Sequence, residues 1–444
     1  MRPSRRLWVL LVALVVLVGC SGNITQEEPT TDTMLESPEL PTQSLLRSSM
    51  RQQPVPGWTA TVEDLDLPPS TVVRPIGNIG DLGVFLGITD EGWWLLGIDV
   101  TSGEREFGPT RLGPAGDATD FNCFINGPPV VLCVRQGPDL SVPSTAWVVD
   151  TVSGKVTYDG PTDLRVAFAE DQPRLEQIGN YAIAASQGKG MYGVGPRAEL
   201  TWFVPGDGIL PSQFDRFPRD TEPSTFAVQN GGTQGDVVFS VVDGKIVKPM
   251  LPQAVQLGRA FVYPGGFGYE YSPADDYTSE RVAFFDSTGK KLGEPEADGK
   301  LESRSVDLPI VGSKSNDRVF TIDGRELLEL PRSTAPPHAR LIGSRFYIAA
   351  DADHRVWKQF DLNTGDQGKT CEGDSLGVYY IASDGEVVVA HAEDGLIHGV
   401  DLATCDVLWI VPGSAPNEAK EVWKVHTTLI QRTNDKLFAL VAPS

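Results

Sequence analysis

From Trp58 onward the chain is written in short apolar runs of strand length, each ending at an aspartate and followed by a glycine turn. Leu96-Gly97-Ile98-Asp99-Val100-Thr101-Ser102-Gly103 and Trp147-Val148-Val149-Asp150-Thr151-Val152-Ser153-Gly154 are the first two copies. Phe239-Ser240-Val241-Val242-Asp243-Gly244, Phe284-Phe285-Asp286-Ser287-Thr288-Gly289 and Phe320-Thr321-Ile322-Asp323-Gly324 follow. The series closes with Phe360-Asp361-Leu362-Asn363-Thr364-Gly365 and Val400-Asp401-Leu402-Ala403-Thr404-Cys405, and a weaker copy stands at residues 201–207. Each copy reads as a hairpin. The apolar run packs, the Asp and Thr side chains bond turn backbone, and Gly supplies the positive φ.

The aspartates are spaced 51, 93, 43, 37, 38 and 40 residues apart, the second interval covering two units. A period near 40 residues in a β-rich chain without a long amphipathic helix pattern predicts an all-β β-propeller. Residues 57–444 form this domain, with length for eight or nine blades; the expectation is eight, with seven the alternative. Residues 57–62 read as the outer strand of the last blade, whose other strands include residues 437–441, so that the two ends of the chain close the ring.

The N-terminus reads differently. Arg2, Arg5 and Arg6 precede an unbroken apolar run over residues 7–18. As a helix that run reaches about 18 Å, short of the ~30 Å hydrocarbon core, so residues 1–19 are expected to be a cleaved signal peptide rather than a span. Leu17-Val18-Gly19-Cys20 resembles the lipobox of bacterial lipoproteins, which implies cleavage before Cys20 and acylation of that cysteine with diacylglycerol and palmitate-type lipid. Export by the general or the twin-arginine route stays open. Residues 20–56, rich in Pro, Thr, Ser and Glu, are expected to be a disordered tether from the lipidated Cys20 to the ring. The expected location is the cell membrane, lipid-anchored, on the extracytoplasmic face.

The repeat itself, apolar-x-x-Asp-x-x-[Thr/Ser]-Gly with Trp409 a few residues beyond Asp401, resembles the pyrroloquinoline-quinone-type (PQQ-like) propeller repeat. Two groups share that repeat: quinoprotein dehydrogenases and non-enzymatic envelope lipoproteins. The enzymes imply a regular repeat Trp, an adjacent Cys-Cys pair and acidic Ca²⁺ ligands. Here the repeat Trp survives essentially once and no Cys-Cys pair exists.

With Cys20 acylated, four cysteines remain in an oxidising compartment. Three connectivities are possible; proximity in sequence favours Cys123–Cys133, closing a short loop, and Cys371–Cys405, joining neighbouring repeats. The chain carries 37 Lys+Arg against 59 Asp+Glu, a formal charge of −22. Such a surface repels nucleic acid and anionic headgroups, leaving the lipid as the contact with the membrane.

The five histidines, His338, His354, His391, His398 and His426, all fall in the last quarter, some beside carboxylates. Their contexts are hairpin turns and a repeat strand, and no nucleophile elbow, His-Glu-x-x-His or phosphate loop accompanies them. No metal, cofactor or catalytic residue is therefore expected. The leading expectation is a monomeric, non-enzymatic scaffold that binds protein partners in the cell envelope. The alternatives are a divergent propeller enzyme, dehydrogenase-like or lyase, and a receptor for a small ligand or glycan. Trp93, Trp94 and Trp423 separate these: an exposed rim position favours partner or sugar contact, and burial between blades favours packing.

Overall fold

The computed structural model describes residues 39–444 except for 115–119, 140, 168–171, 211–217, 233–234, 252–254, 274–275, 277–278, 296–298, 303–304, 333–337, 393–394 and 412–419. Its strands form nine sheets, eight of four antiparallel strands and one of two. In chain order the blades cover residues 72–113 (blade 1), 121–162 (2), 174–205 (3), 226–247 (4), 255–293 (5), 300–331 (6), 339–372 (7), 380–411 (8) and 421–441 (9). The eight four-stranded blades expected from the repeat are present, and blade 4 is an additional reduced sheet.

Blade 9 takes its fourth strand from the other end of the chain. Val55–Thr61 pairs antiparallel with Lys436–Val441, from Thr61↔Lys436 to Val55↔Val441. The predicted joint between the termini is thus observed.

Among the described residues nine apolar clusters hold the ring, and each straddles two successive blades. A four-stranded sheet alone leaves both faces wet. Stacking blades in a circle buries both and contributes roughly 25 cal/mol per Å² of apolar surface removed from water. Between blades 9 and 1, for example, Ile430, Leu437 and Ala439 meet Phe85, Leu96 and Ile98.

The aspartate turns link the third strand of a blade to its fourth. Asp99 Oδ1 accepts from the backbone N–H of Thr101 and Ser102 at 2.8 and 3.0 Å, and Gly103 closes the turn at φ +80°. Asp401 makes the same turn, and Asp286 a turn one residue shorter. The fourth strand of one blade then sets a large side chain on the turn of the next. Trp58 lies over Gly103, where a Cβ would come within 2.5 Å of the ring, and its indole N–H donates to Val100 O. Phe107 covers Gly154, and Trp202 covers Gly244. Between blades 7 and 8 a covalent bond replaces this contact. Cys371 occupies the fourth-strand position, Cys405 takes the turn position of glycine at φ +62°, and the two are bonded.

Because strands alternate in direction, first–second and third–fourth turns fall on one face of the ring, the turn face. The stretch 39–56, expected to belong to the solvated tether, is ordered against that face. Gln43 brackets the backbone of Gly343 with both atoms of its amide, and Leu46 and Arg47 N–H bond Ser383 O and Thr427 O. Leu46 and Met50 are buried in the cluster between blades 8 and 9. The physical reason is the open joint in blade 9, which lacks a covalent third–fourth turn. Trp409 of blade 8 donates its indole N–H to Met50 O at 2.7 Å, the bond that Trp58 makes to a true turn. This part of the chain, the strap, stands in for the missing hairpin. Residues 1–38, including the lipidation position Cys20, lie outside the described residues.

Candidate functional site

Blade 4 is the exception that builds the site. Its strands Phe226–Asn230 and Asp236–Ser240 lead into Asp243-Gly244, the turn that elsewhere joins third to fourth strand. They are therefore the second and third strands. The fourth is reduced to residues 245–247, held by the bridge Phe239↔Ile246 and by Val247 N–H to Val238 O. Among the described residues no first strand belongs to this sheet. The chain just ahead of it, residues 218–222, instead crosses to the first strands of blades 7, 8 and 9.

This plug is anchored by charge. Asp220, with its side chain fully buried, bonds the Lys424 ammonium at 2.5 Å and accepts from the Tyr380 hydroxyl. Arg340 stacks its guanidinium over the Tyr380 ring at 3.8 Å and donates to Pro218 O at 2.5 Å. Thr221 donates to Asp307, whose second oxygen accepts from the Leu341 N–H at 2.9 Å. Burial pushes the Asp307 carboxyl up, against those two hydrogen bonds. Burial, then the neighbouring Asp220 carboxylate, pushes the Tyr380 phenol well above its ordinary value, so it is a hydrogen-bond donor at any physiological pH.

The strap and the plug are joined to one another. Gln43 and Thr221 form an antiparallel bridge, flanked by Ser44 N–H to Asp220 O and Glu222 N–H to Thr42 O. On one side of this ladder lies a cavity of about 600 Å³, lined by Asn78, Tyr181, Arg219, Asp220, Lys424 and His426 among others. On the other lies one of about 490 Å³, lined by Leu40, Phe226, Pro264, Pro309 and Ile322 among others. His426 and Arg47 both bond Asp81 at the rim, and the His426 bond lowers the Asp81 carboxyl.

The remaining sequence-selected residues are placed as follows. Both disulfides are present, Cys123–Cys133 between paired strands of one blade and Cys371–Cys405 between blades. His338 and His354 meet edge to face with centroids 4.2 Å apart, and His398 Nε2 lies 2.8 Å from Ser375 Oγ. Burial lowers His391. None of these four lines either cavity described above. Among the described residues no group of three or more His, Cys, Asp or Glu side chains could hold a metal ion. Trp93 and Trp94 are buried and Trp423 is half-buried against the cluster between blades 9 and 1, so these indoles serve packing.

Sequence reasoning missed Asp220, Lys424, Tyr380 and Arg340, because they come together only across the ring. One signal was available. The doubled aspartate interval contains Pro218-Arg219-Asp220-Thr221-Glu222-Pro223, a stretch with no apolar strand run where a first strand was due.

The chain is similar to several known proteins. An uncharacterized protein of Mycolicibacterium smegmatis (strain MKD8) is 36% identical over 481 residues, covering 100% of this chain and 98% of that one. Among solved structures, BamB from Moraxella catarrhalis aligns with a TM-score of 0.42 at 11% identity, over 88% of this chain and 100% of that one. The computationally designed Ika8 protein aligns with a TM-score of 0.35 at 13% identity, over 70% and 93% of the two chains. A family model described as the conjugation-associated 9-bladed beta-propeller domain matches residues 31–443. With eight four-stranded blades and one reduced blade in its ring, this chain belongs to that family.

Proposed function

We propose that this protein is a lipid-anchored, extracytoplasmic scaffold that holds protein partners together in the cell-envelope machinery of conjugation, and that it does so without catalysing a reaction. The observation that carries the reading is the plug. The space against the first strands of blades 8 and 9 is occupied by the chain's own Asp220, bonded to Lys424 and Tyr380. What such a ring offers a partner is its loops and rims, on a scaffold whose core is already complete. The family description supplies the process, and the lipobox-like Leu17-Val18-Gly19-Cys20 supplies the anchor.

Two measurements test the proposal. Deleting the gene in a conjugating strain should lower DNA-transfer frequency, and Cys20→Ala should release the intact ring from the membrane fraction and lower transfer in the same way. Unchanged transfer in the deletion strain would remove the assigned process, and a Cys20→Ala protein still membrane-bound in high salt would remove the lipid anchor. Separately, the purified ring should neither retain pyrroloquinoline quinone with Ca²⁺ nor oxidise a panel of alcohols and sugars. Stoichiometric quinone with turnover would replace the scaffold by an enzyme.

A further inference from the structure

In the polar cluster around Asp220, the cation and the hydroxyl that bind this carboxylate belong to first strands of the ring, and the carboxylate does not. Arg340 stands on the first strand of blade 7 (Ala339–Ile342), Tyr380 on that of blade 8 (Tyr380–Ser383) and Lys424 on that of blade 9 (Glu421–Val425). These three strands are fixed by ladder bonds to their neighbours. Asp220 arrives on an irregular segment, and among the described residues the blade that segment precedes has no first strand. The segment leading into blade 4 thus delivers one carboxylate into a socket formed by the first strands of three other blades.

We propose that Lys424 and Tyr380, backed by Arg340, form a carboxylate-binding site, filled at rest by Asp220 and able to take the carboxylate of another molecule when the plug withdraws. The chemistry is specific. The Lys424 ammonium gives charge, the Tyr380 hydroxyl gives one directed hydrogen bond, and the guanidinium over the Tyr380 ring polarises it. The side chain of Lys424 is only 12% exposed, so removing Asp220 leaves a desolvated cation beside the 600 Å³ cavity, which gives an incoming anion its path. The strap controls access, because its ladder to residues 220–222 must open before the plug can leave. The site stands independently of the scaffold reading; only the bearer of the carboxylate, an acidic side chain or chain end of a protein partner, rests on it.

Acetate and formate are the probes. Asp220→Ala should lower the melting temperature by about 4–6 °C, the effect of stranding a buried charge in a ring of this size. Sodium acetate should restore about 2 °C of that at ten times its dissociation constant, relative to sodium chloride at the same ionic strength. The wild-type protein should not respond. In the double variant Asp220→Ala/Lys424→Met the cation is gone with its partner. That variant should melt above the single one and lose the acetate response. A folded Asp220→Ala protein as indifferent to acetate as the wild type would overturn the site. If Asp220→Ala does not fold, Asp220→Asn decides: the neutral isostere should melt several degrees low, and a wild-type melting temperature would show that the socket has no need of a carboxylate. Since none of these readouts involves a partner, failure of the scaffold reading leaves the result intact, and the reverse also holds.

Discussion

Breaking Cys371–Cys405 should destabilise the ring in two separable parts. The bond has a sequence separation of 34 residues and spans the contact between blades 7 and 8. The loop-entropy relation gives about 3.8 kcal/mol for a loop of that length. At roughly 2.1 cal/mol/K per residue, a ring of about 390 residues unfolds with an entropy near 0.8 kcal/mol/K, so the loss corresponds to about 4–5 °C in Tm. Cys405, however, sits at φ +62°, in the turn position that Gly103, Gly154 and Gly365 hold in other blades. Left-handed backbone at a residue with a Cβ costs about 1 kcal/mol relative to glycine. Cys371→Ala/Cys405→Ala should therefore lose the full 4–5 °C. Cys371→Ala/Cys405→Gly should recover about 1 °C of it, because glycine suits the turn. Calorimetry on the two double variants, with peptide mapping of the unreduced wild type to establish the bond, reads both parts. A glycine variant less stable than the alanine one would refute the conformational half. A wild-type Tm in either double variant would refute the entropic half.

Two further expectations concern the strap and pH. Met50 is fully buried at the open joint, so Met50→Ala should lower stability by about 2–5 kcal/mol in urea unfolding, whereas a tether residue would register nothing. The turn aspartates Asp99, Asp150 and Asp286 are held below the usual carboxylate range by bonds from Thr101, Ser153 and Thr288. Their folded pKa lies under the unfolded one, so their contribution is complete above about pH 4 and is lost as the pH falls through the folded values. A melting series from pH 6 to pH 2 should fall at the acid end, and Asp99→Asn should flatten that fall; an identical slope in the variant would remove Asp99 from the account.

The repeat, the four-stranded blade and the joint between the termini were legible in the sequence. They rest on local rules: strand alternation, an aspartate bonding the N–H groups two and three residues on, and glycine at positive φ. The cysteine pairs were legible as the nearer partners, although only the structure shows Cys405 occupying a glycine's place and Cys371 that of an aromatic side chain. The strap was not legible. Polar composition describes what a segment cannot bury by itself, and residues 39–56 are ordered by a vacancy at the far end of the chain, the absent turn beside Trp409. The plug was equally hidden. Asp220 lies 204 residues from Lys424 and 160 from Tyr380, and no local pattern relates them. Closing a ring brings the first strands of distant blades around one axis, and a segment that leaves its own sheet can satisfy its buried charge only there. Sequence alone determined the repeating unit and how its ends meet. Tertiary structure decided where the segment ahead of blade 4 would run, and which distant strands would hold its buried charge.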